Sequence, residues 1–286
     1  MNTNSLVPKI IWIYWHQGFD KLPSGIIPCV QRWKVLHPDW KIHLLDKDNI
    51  YDYIAPLRLT RQGQNNVGLA HYSDLIRNEL LIQYGGVWAD PSTFPLKSLN
   101  EWLPECLTKS NYFFFYKPGK NRLVSNWFIA ANPQSKLLIL LNKYLIKYWN
   151  SYNFKNKGKT KTKSIKFYNK ILNRNLYLPL LWLSPIFTRL VKLSPYMIYH
   201  YMFFYLLLKH KHLKNEFKVM PKLFATTCHA INKYNMFADL EPEIKRIILN
   251  KEVPMIKLEW KAIENKPEIN TNLGFLFNHL NKNHAI

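Results

Sequence analysis

Acidic residues are scarce in this sequence: 18 Asp and Glu stand against 40 Lys and Arg in 286 residues, a formal net charge of +22. Such an excess argues for an anionic partner, whether nucleic acid, an acidic membrane face or an acidic polymer. Cysteine is sparser still. Cys29, Cys106 and Cys228 are odd in number, far apart and without metal-ligand spacing, so they read as buried thiols. Also lacking is any uninterrupted apolar run of about 18 residues, which excludes a spanning helix. The apolar stretch near the start, VPKIIWIYWHQG, is short and interrupted by His16 and Gln17, which is not the pattern of a secretory signal. The chain is expected to stay in the cytoplasm.

Apolar material is plentiful. With 48% apolar residues and 15% aromatics, the chain builds a substantial core as one large or two ordinary domains. The charge is concentrated: between Lys117 and Lys222 there are 21 Lys or Arg and one acid, Glu216, while the two ends are nearly neutral.

Residues 8 to 15 predict a buried strand, opened by Pro8 and closed around Gly18. Ile26, Val30, Trp33 and His37 recur at helical spacing, and Pro38 ends that helix. WKIHLLD follows as a second strand, and Asp48 suits an N-cap for a short helix over 49 to 54. Strand, helix, strand, helix predicts an α/β chain with a parallel sheet, whose ligands sit beyond the carboxyl ends of the strands.

The next helix is predicted over Val67 to Tyr84, with Leu69, Tyr72, Ile76, Leu80 and Tyr84 on a buried stripe. On another face Ala70, Asp74, Arg77 and Leu81 are neighbours, which pairs a carboxylate with a guanidinium. Gly85 and Gly86 end the helix, and Val87, Trp88 and Ala89 form a short strand. Asp90 then lies at the strand's carboxyl end. Pro91 removes the next ladder donor, so the carboxylate is presented, and Ser92 and Thr93 add hydroxyls of the kind that hard cations and diphosphates accept.

The combination of VPKIIWIYWHQG, AHYSDLIRNELLIQYGGVWAD and SNWFIAANPQS resembles capsular polysaccharide synthesis proteins related to glycosyltransferase family 32, whose relatives include yeast mannosyltransferases and the glucosylating domains of clostridial toxins. The similarity covers roughly residues 7 to 140, with an echo in MIKLEWK at 255 to 261. It implies a GT-A fold (a Rossmann-like, mostly parallel central sheet flanked by helices), a nucleotide-sugar donor, foremost a uridine diphosphate sugar, and retention of anomeric configuration. The family's motif falls on Asp74, Arg77, Gly85, Gly86 and Asp90.

By that resemblance, Asp74, Arg77 and Asp90 carry the catalysis. Donor contacts fall to Asp74, Arg77, Gly86, Asn126 and His71, with Trp12 or Trp15 covering the base or else packing in the core. A divalent cation, manganese or magnesium, would be held by Asp90, with Ser92 and His229 as further candidates. One departure bears on the metal: the second acid of the family's Asp-X-Asp falls on Ser92.

Residues 1 to 149 and 219 to 286 are assigned to the catalytic domain and residues 150 to 218 to a basic, aromatic helical insertion. NFKNKGKTKTKS, at 153 to 164, reads as a mobile basic loop. The following stretch is rich in Leu, Phe and Tyr but broken by Pro179, Pro185 and Pro195, which fits either helices in a membrane interface or a core-forming subdomain. TTCHAINKY and VPMIKLEWK are expected to return and complete the site, and the tail to form a short amphipathic helix. The whole points to a bacterial glycosyltransferase of surface-polysaccharide synthesis at the inner face of the cell membrane, acting on an oligosaccharide or lipid-linked acceptor. Nucleic acid is not expected as a partner, although a nucleic-acid-binding protein built on the basic block and an inactive scaffold of the same fold are the rival readings.

Overall fold

The computed structural model describes residues 7–159, 162–263 and 267–281. Strands β1 (Ile10–Tyr14), β2 (Lys41–Leu45), β3 (Gly86–Ala89), β4 (Thr93–Pro95), β5 (Tyr112–Gly119), β6 (Arg122–Ala131) and β7 (Met255–Lys257) form two sheets. The larger has the order β2-β1-β3-β6-β5, and β4 pairs with β7. β1 is parallel to both β2 and β3, whereas β6 is antiparallel to β3 and to β5. Four of the five central strands therefore run one way, as in a GT-A fold. β6 is reversed because a tight hairpin joins it to β5, and such a connection allows only antiparallel pairing.

The β-branched and aromatic residues of β1 explain its central place, with Ile11, Trp12 and Ile13 buried in succession. Helix α1 (Ile27–Leu36) starts with a proline in its first turn and ends ahead of Pro38, as expected. The short turn after β2 differs in its cap. Asp46, rather than Asp48, accepts the N–H groups of Asp48 and Asn49 at 2.8 and 3.1 Å, while the Asp48 carboxylate pairs with Lys47.

The helix predicted from Val67 begins at Leu69 and follows a separate short helix. These are α2 (Arg61–Asn66), capped by the Thr60 hydroxyl, and α3 (Leu69–Tyr84). The predicted stripe is only partly right: Leu69 is exposed, while Leu75, Ile76, Leu80 and Leu81 are buried together with Asp74, Arg77 and Asn78. Two faces of α3 are covered, so a single-stripe reading understates its burial.

Helices α4 (Leu99–Cys106), α5 (Lys136–Ser151), α6 (Lys163–Leu172), α7 (Ile198–Lys209) and α8 (Lys211–Val219) follow, and later helices, among them Pro242–Leu249 and Asn272–Asn281, pack in a second core. From the basic middle region, Ile198, Tyr199, Phe203, Leu206, Leu213 and Phe217 enter the main core beside the central sheet. A small separate core gathers Ile165, Leu172, Trp182, Phe187, Leu193 and Tyr201. The described part of the predicted mobile loop is pinned: Asn156 donates to Ser194 O at 3.1 Å and accepts from Ser194 N at 3.0 Å. Thr160 and Lys161 lie outside the described residues. All three cysteines are free and buried. Among the described residues no helix is long and apolar enough to cross a membrane.

Candidate active site

The turn between α3 and β3 is built on two glycines with positive φ, Gly85 at 66° and Gly86 at 90°. A Cβ on Gly86 would come 2.6 Å from the Ile10 carbonyl oxygen, so Gly86 serves the close approach of β3 to β1. β3 then delivers Asp90 to the carboxyl edge of the sheet. Its N–H continues the ladder by donating to Trp127 O at 2.8 Å, and its carbonyl closes a turn by accepting from Thr93 N at 3.0 Å. Pro91 stops the ladder there. The Asp90 side chain keeps 29% of its surface exposed, against 5% for Arg77.

Arg77 is surrounded by acceptors. Its Nε donates to Ser73 O at 3.3 Å, its Nη2 to Ser73 Oγ at 3.2 Å, and its Nη1 to Asn126 O. The two guanidinium ends also meet Asp74 Oδ1 at 3.3 Å and Asp90 Oδ1 at 3.5 Å. Three of these are hydrogen bonds and two are ion-pair contacts, so the guanidinium nitrogens all face protein oxygens. Arg77, expected as a donor contact, is turned towards these protein oxygens, and the geometry makes it the residue that holds two carboxylates in place.

Asn126 closes the cluster from β6 by donating to Asp74 Oδ1 at 2.7 Å. Burial raises the Asp74 carboxyl to about 7, against the lowering pull of Arg77, with Asp90 adding to the rise. Trp88 lies under the group, with the Arg77 guanidinium 4.8 Å from its ring centre and its Nε1 donating to Asp90 Oδ1 at 2.9 Å.

The hydroxyls after Asp90 are occupied by protein. Thr93 Oγ1 donates to Asp90 O at 2.6 Å and accepts from Trp33 Nε1 at 3.1 Å. Ser92 Oγ accepts from Lys257 Nζ at 2.6 Å. VPMIKLEWK does return here, because β7 pairs with β4 in the register Thr93↔Lys257. The resulting donor set is a poor fit for a divalent cation, which asks for several oxygen ligands. Asp90 is one carboxylate, already bonded, and an ammonium stands on the hydroxyl that takes the second acid's place. His229 has its Nδ1 on Asn232 Nδ2 at 3.1 Å, and burial, with Lys257 and Arg122 nearby, pushes it down to about 4, which keeps the imidazole neutral.

The other expected donor residues separate. Trp12 is buried on the core side of β1, donating to Gly85 O at 2.9 Å and stacked on His43, which removes it from the site. Trp15 lies just past the carboxyl end of β1, edge-on to Trp260 at 5.2 Å between ring centres. Its buried Nε1 has no hydrogen-bond partner among the described residues. His71 packs on Trp149 with ring centres 4.8 Å apart, its Nε2 bonded to Tyr196 O at 3.2 Å. The Asp74 cluster thus does not include it. Sequence reasoning missed Lys257, Trp88 and Ser73 as site residues. The local signals available were the i to i+4 spacing from Ser73 to Arg77 and the i to i+2 spacing from Trp88 to Asp90.

A family model described as capsular polysaccharide synthesis protein matches residues 2–156. The chain is 31% identical over 105 residues to O-glycosyltransferase braB of Annulohypoxylon truncatum, covering 32% of this chain and 25% of that one. It is 25% identical over 146 residues to O-glycosyltransferase PaGT of Phomopsis amygdali, covering 45% and 36%. With the initiation-specific alpha-1,6-mannosyltransferase of Schizosaccharomyces pombe it shares 25% over 116 residues, covering 37% and 28%. These relatives are fungal, and the chain spans well under half the length of each.

Proposed function

Because the chain belongs to the capsular polysaccharide synthesis protein family, we propose that it is a glycosyltransferase, moving a sugar from a nucleoside diphosphate to a hydroxyl of a surface-polysaccharide or lipid-linked acceptor. One observation carries this reading. Asp90 is the partly exposed member of an otherwise buried charge cluster, placed at the carboxyl end of β3 where ligands of such sheets bind.

Transfer breaks the bond between the anomeric carbon and the diphosphate oxygen, and the electron pair stays with the diphosphate. The acceptor oxygen bonds to the anomeric carbon, and its proton passes to the departing diphosphate. Attack from the face the diphosphate leaves retains the anomeric configuration. Positive charge on the sugar calls for a fixed carboxylate nearby, a role that Asp90 fills. Arg77 and Trp88 hold it there, and Asp74 and Asn126 fix Arg77 in turn, so no reorganisation is needed when the charge develops. Trp15 and Trp260 offer aromatic faces for the base, here taken to be uracil.

A membrane location suits a lipid-linked acceptor. Phe167, Tyr177, Ile186 and Leu190 in the basic middle region are between 54% and 74% exposed, among Lys163, Lys166, Lys170, Arg174 and Arg189. That mixture fits the inner, anionic face of a cell membrane.

Thermal-shift measurement against a panel of nucleotide sugars tests the activity class. A ligand at about 100 times its dissociation constant adds roughly 2.7 kcal/mol of stability. Stabilisation by one nucleotide series is expected. Indifference to every nucleotide sugar and nucleoside diphosphate would overturn the proposal.

A further inference from the structure

We infer that the ammonium of Lys257 takes the place of a divalent cation in this site and neutralises the donor's diphosphate. The inference rests on the glycosyltransferase reading and concerns the same site.

Four observations support it. The Lys257 Nζ lies 2.6 Å from Ser92 Oγ, at the position where a second acid would hold a metal. It is fixed there by backbone: Lys257 is paired with Thr93 across β7 and β4, and Leu258 N donates to Ser92 O at 2.9 Å. The ammonium donates to two neutral oxygens, Ser92 Oγ and Leu258 O, the latter at 2.9 Å. That leaves one of its three N–H bonds for an incoming acceptor. Lys257 takes part in none of the ion pairs found among the described residues; burial disfavours its charge, and Asp90 and Glu259 offset that only from beyond contact distance. A cation so placed is costly unless a charge partner arrives, and a diphosphate supplies one.

Arg77 is not an alternative, since Ser73, Asp74, Asp90 and Asn126 already face its donors. A metal is not one either. It would have to share Ser92 with an ammonium, and among the described residues no group of three or more His, Cys, Asp or Glu is arranged to hold an ion. Lysine is a compact point charge that suits phosphate oxygens without needing a planar partner.

Calorimetry on the full chain tests the inference with uridine and guanosine di- and monophosphates as probes, each in chelator and in manganese. The parent is expected to bind one diphosphate equally well in both buffers. Lys257→Met, which keeps the stem and removes the charge, should weaken diphosphate binding by about tenfold or more while monophosphate binding changes far less. Lys257→Arg should restore part of the loss. The unfolding midpoint of each variant shows that it is folded. If Lys257→Met does not fold, the parent's behaviour in chelator decides the question. Diphosphate binding that appears only with manganese would overturn the inference and leave the glycosyltransferase reading standing, as would a folded Lys257→Met that binds diphosphate like the parent. Failure of every nucleotide in both buffers would instead remove the donor site, and the inference with it.

Discussion

Arg77 rests on Trp88, its guanidinium 4.8 Å from the ring centre, and the same indole donates to Asp90 at 2.9 Å. One buried side chain from β3 thus carries both a cation and the carboxylate it faces. The face of the ring attracts the guanidinium, and its N–H binds the acid. The cluster is therefore built into the core and does not wait for a ligand to assemble.

Arg77 should accordingly behave as a positioning residue whose loss is felt in folding. Arg77→Ala leaves Asp74 buried without its cation and is expected to cost about 3–5 kcal/mol, the range for breaking a buried pair. Arg77→Lys keeps the charge but not the fork, and should recover only part of that. Urea unfolding of the three proteins measures it. An unchanged midpoint for Arg77→Ala, combined with lost nucleotide binding, would make Arg77 a ligand clamp after all.

Asp90→Asn should have the opposite profile. Its side chain is partly exposed, and an amide oxygen still accepts from Trp88. Stability is expected to change by less than about 1 kcal/mol. Removing a preorganised charge that faces the reacting carbon should slow sugar transfer or donor hydrolysis by about 100-fold or more. Equal rates for parent and variant would take Asp90 out of the chemistry.

His37 gives a pH prediction with a definite sign. Its Nδ1 bonds Trp33 O at 3.0 Å, and its Nε2 accepts from Leu99 N at 2.9 Å, so the ring is held as one neutral tautomer. Burial lowers it to about 4 from the ordinary 6.5. Between those values the folded chain binds fewer protons than the unfolded one. The His37 contribution is thus intact above pH 6.5 and is lost as pH falls towards 4, by about 1.4 kcal/mol per unit. Asp74, whose carboxyl is raised to about 7, works in the other direction over much of that window. The informative quantity is therefore the stability difference between the parent and His37→Gln, which should shift against the parent on acidification. A difference independent of pH would show that His37 does not titrate this way.

The exposed apolar and basic surface of the middle region predicts membrane affinity. Sedimentation with acidic liposomes should capture the protein at low salt and lose much of it at high salt, since each nearby Lys contributes about 1 kcal/mol that ions screen. Leu190→Glu, at a residue 74% exposed, should weaken capture with little effect on folding. Indifference to lipid charge and salt would remove the membrane location.

The early strands and helices were legible because their signals are local. β-branched runs, helical spacing and the Gly-Gly and Pro punctuation placed β1, α1, β2 and β3 within a few residues of their observed bounds. Asp74 and Arg77 were legible as a pair because residues three apart on a helix are neighbours. Which of Trp12 and Trp15 packs inside was not legible, since both faces of β1 are covered and alternation no longer separates core from site. Nor was the role of Arg77. Its burial depends on Asn126, which meets it only because β6 runs antiparallel beside β3. Lys257 lies 165 residues from Ser92 in the chain, and only the pairing of β7 with β4 brings the ammonium onto that hydroxyl. The sequence by itself determined the elements and the carboxylate at the end of β3. Tertiary pairing decided which cation stands on the Ser92 hydroxyl, because contacts between strands distant in the chain leave no periodic trace in either one.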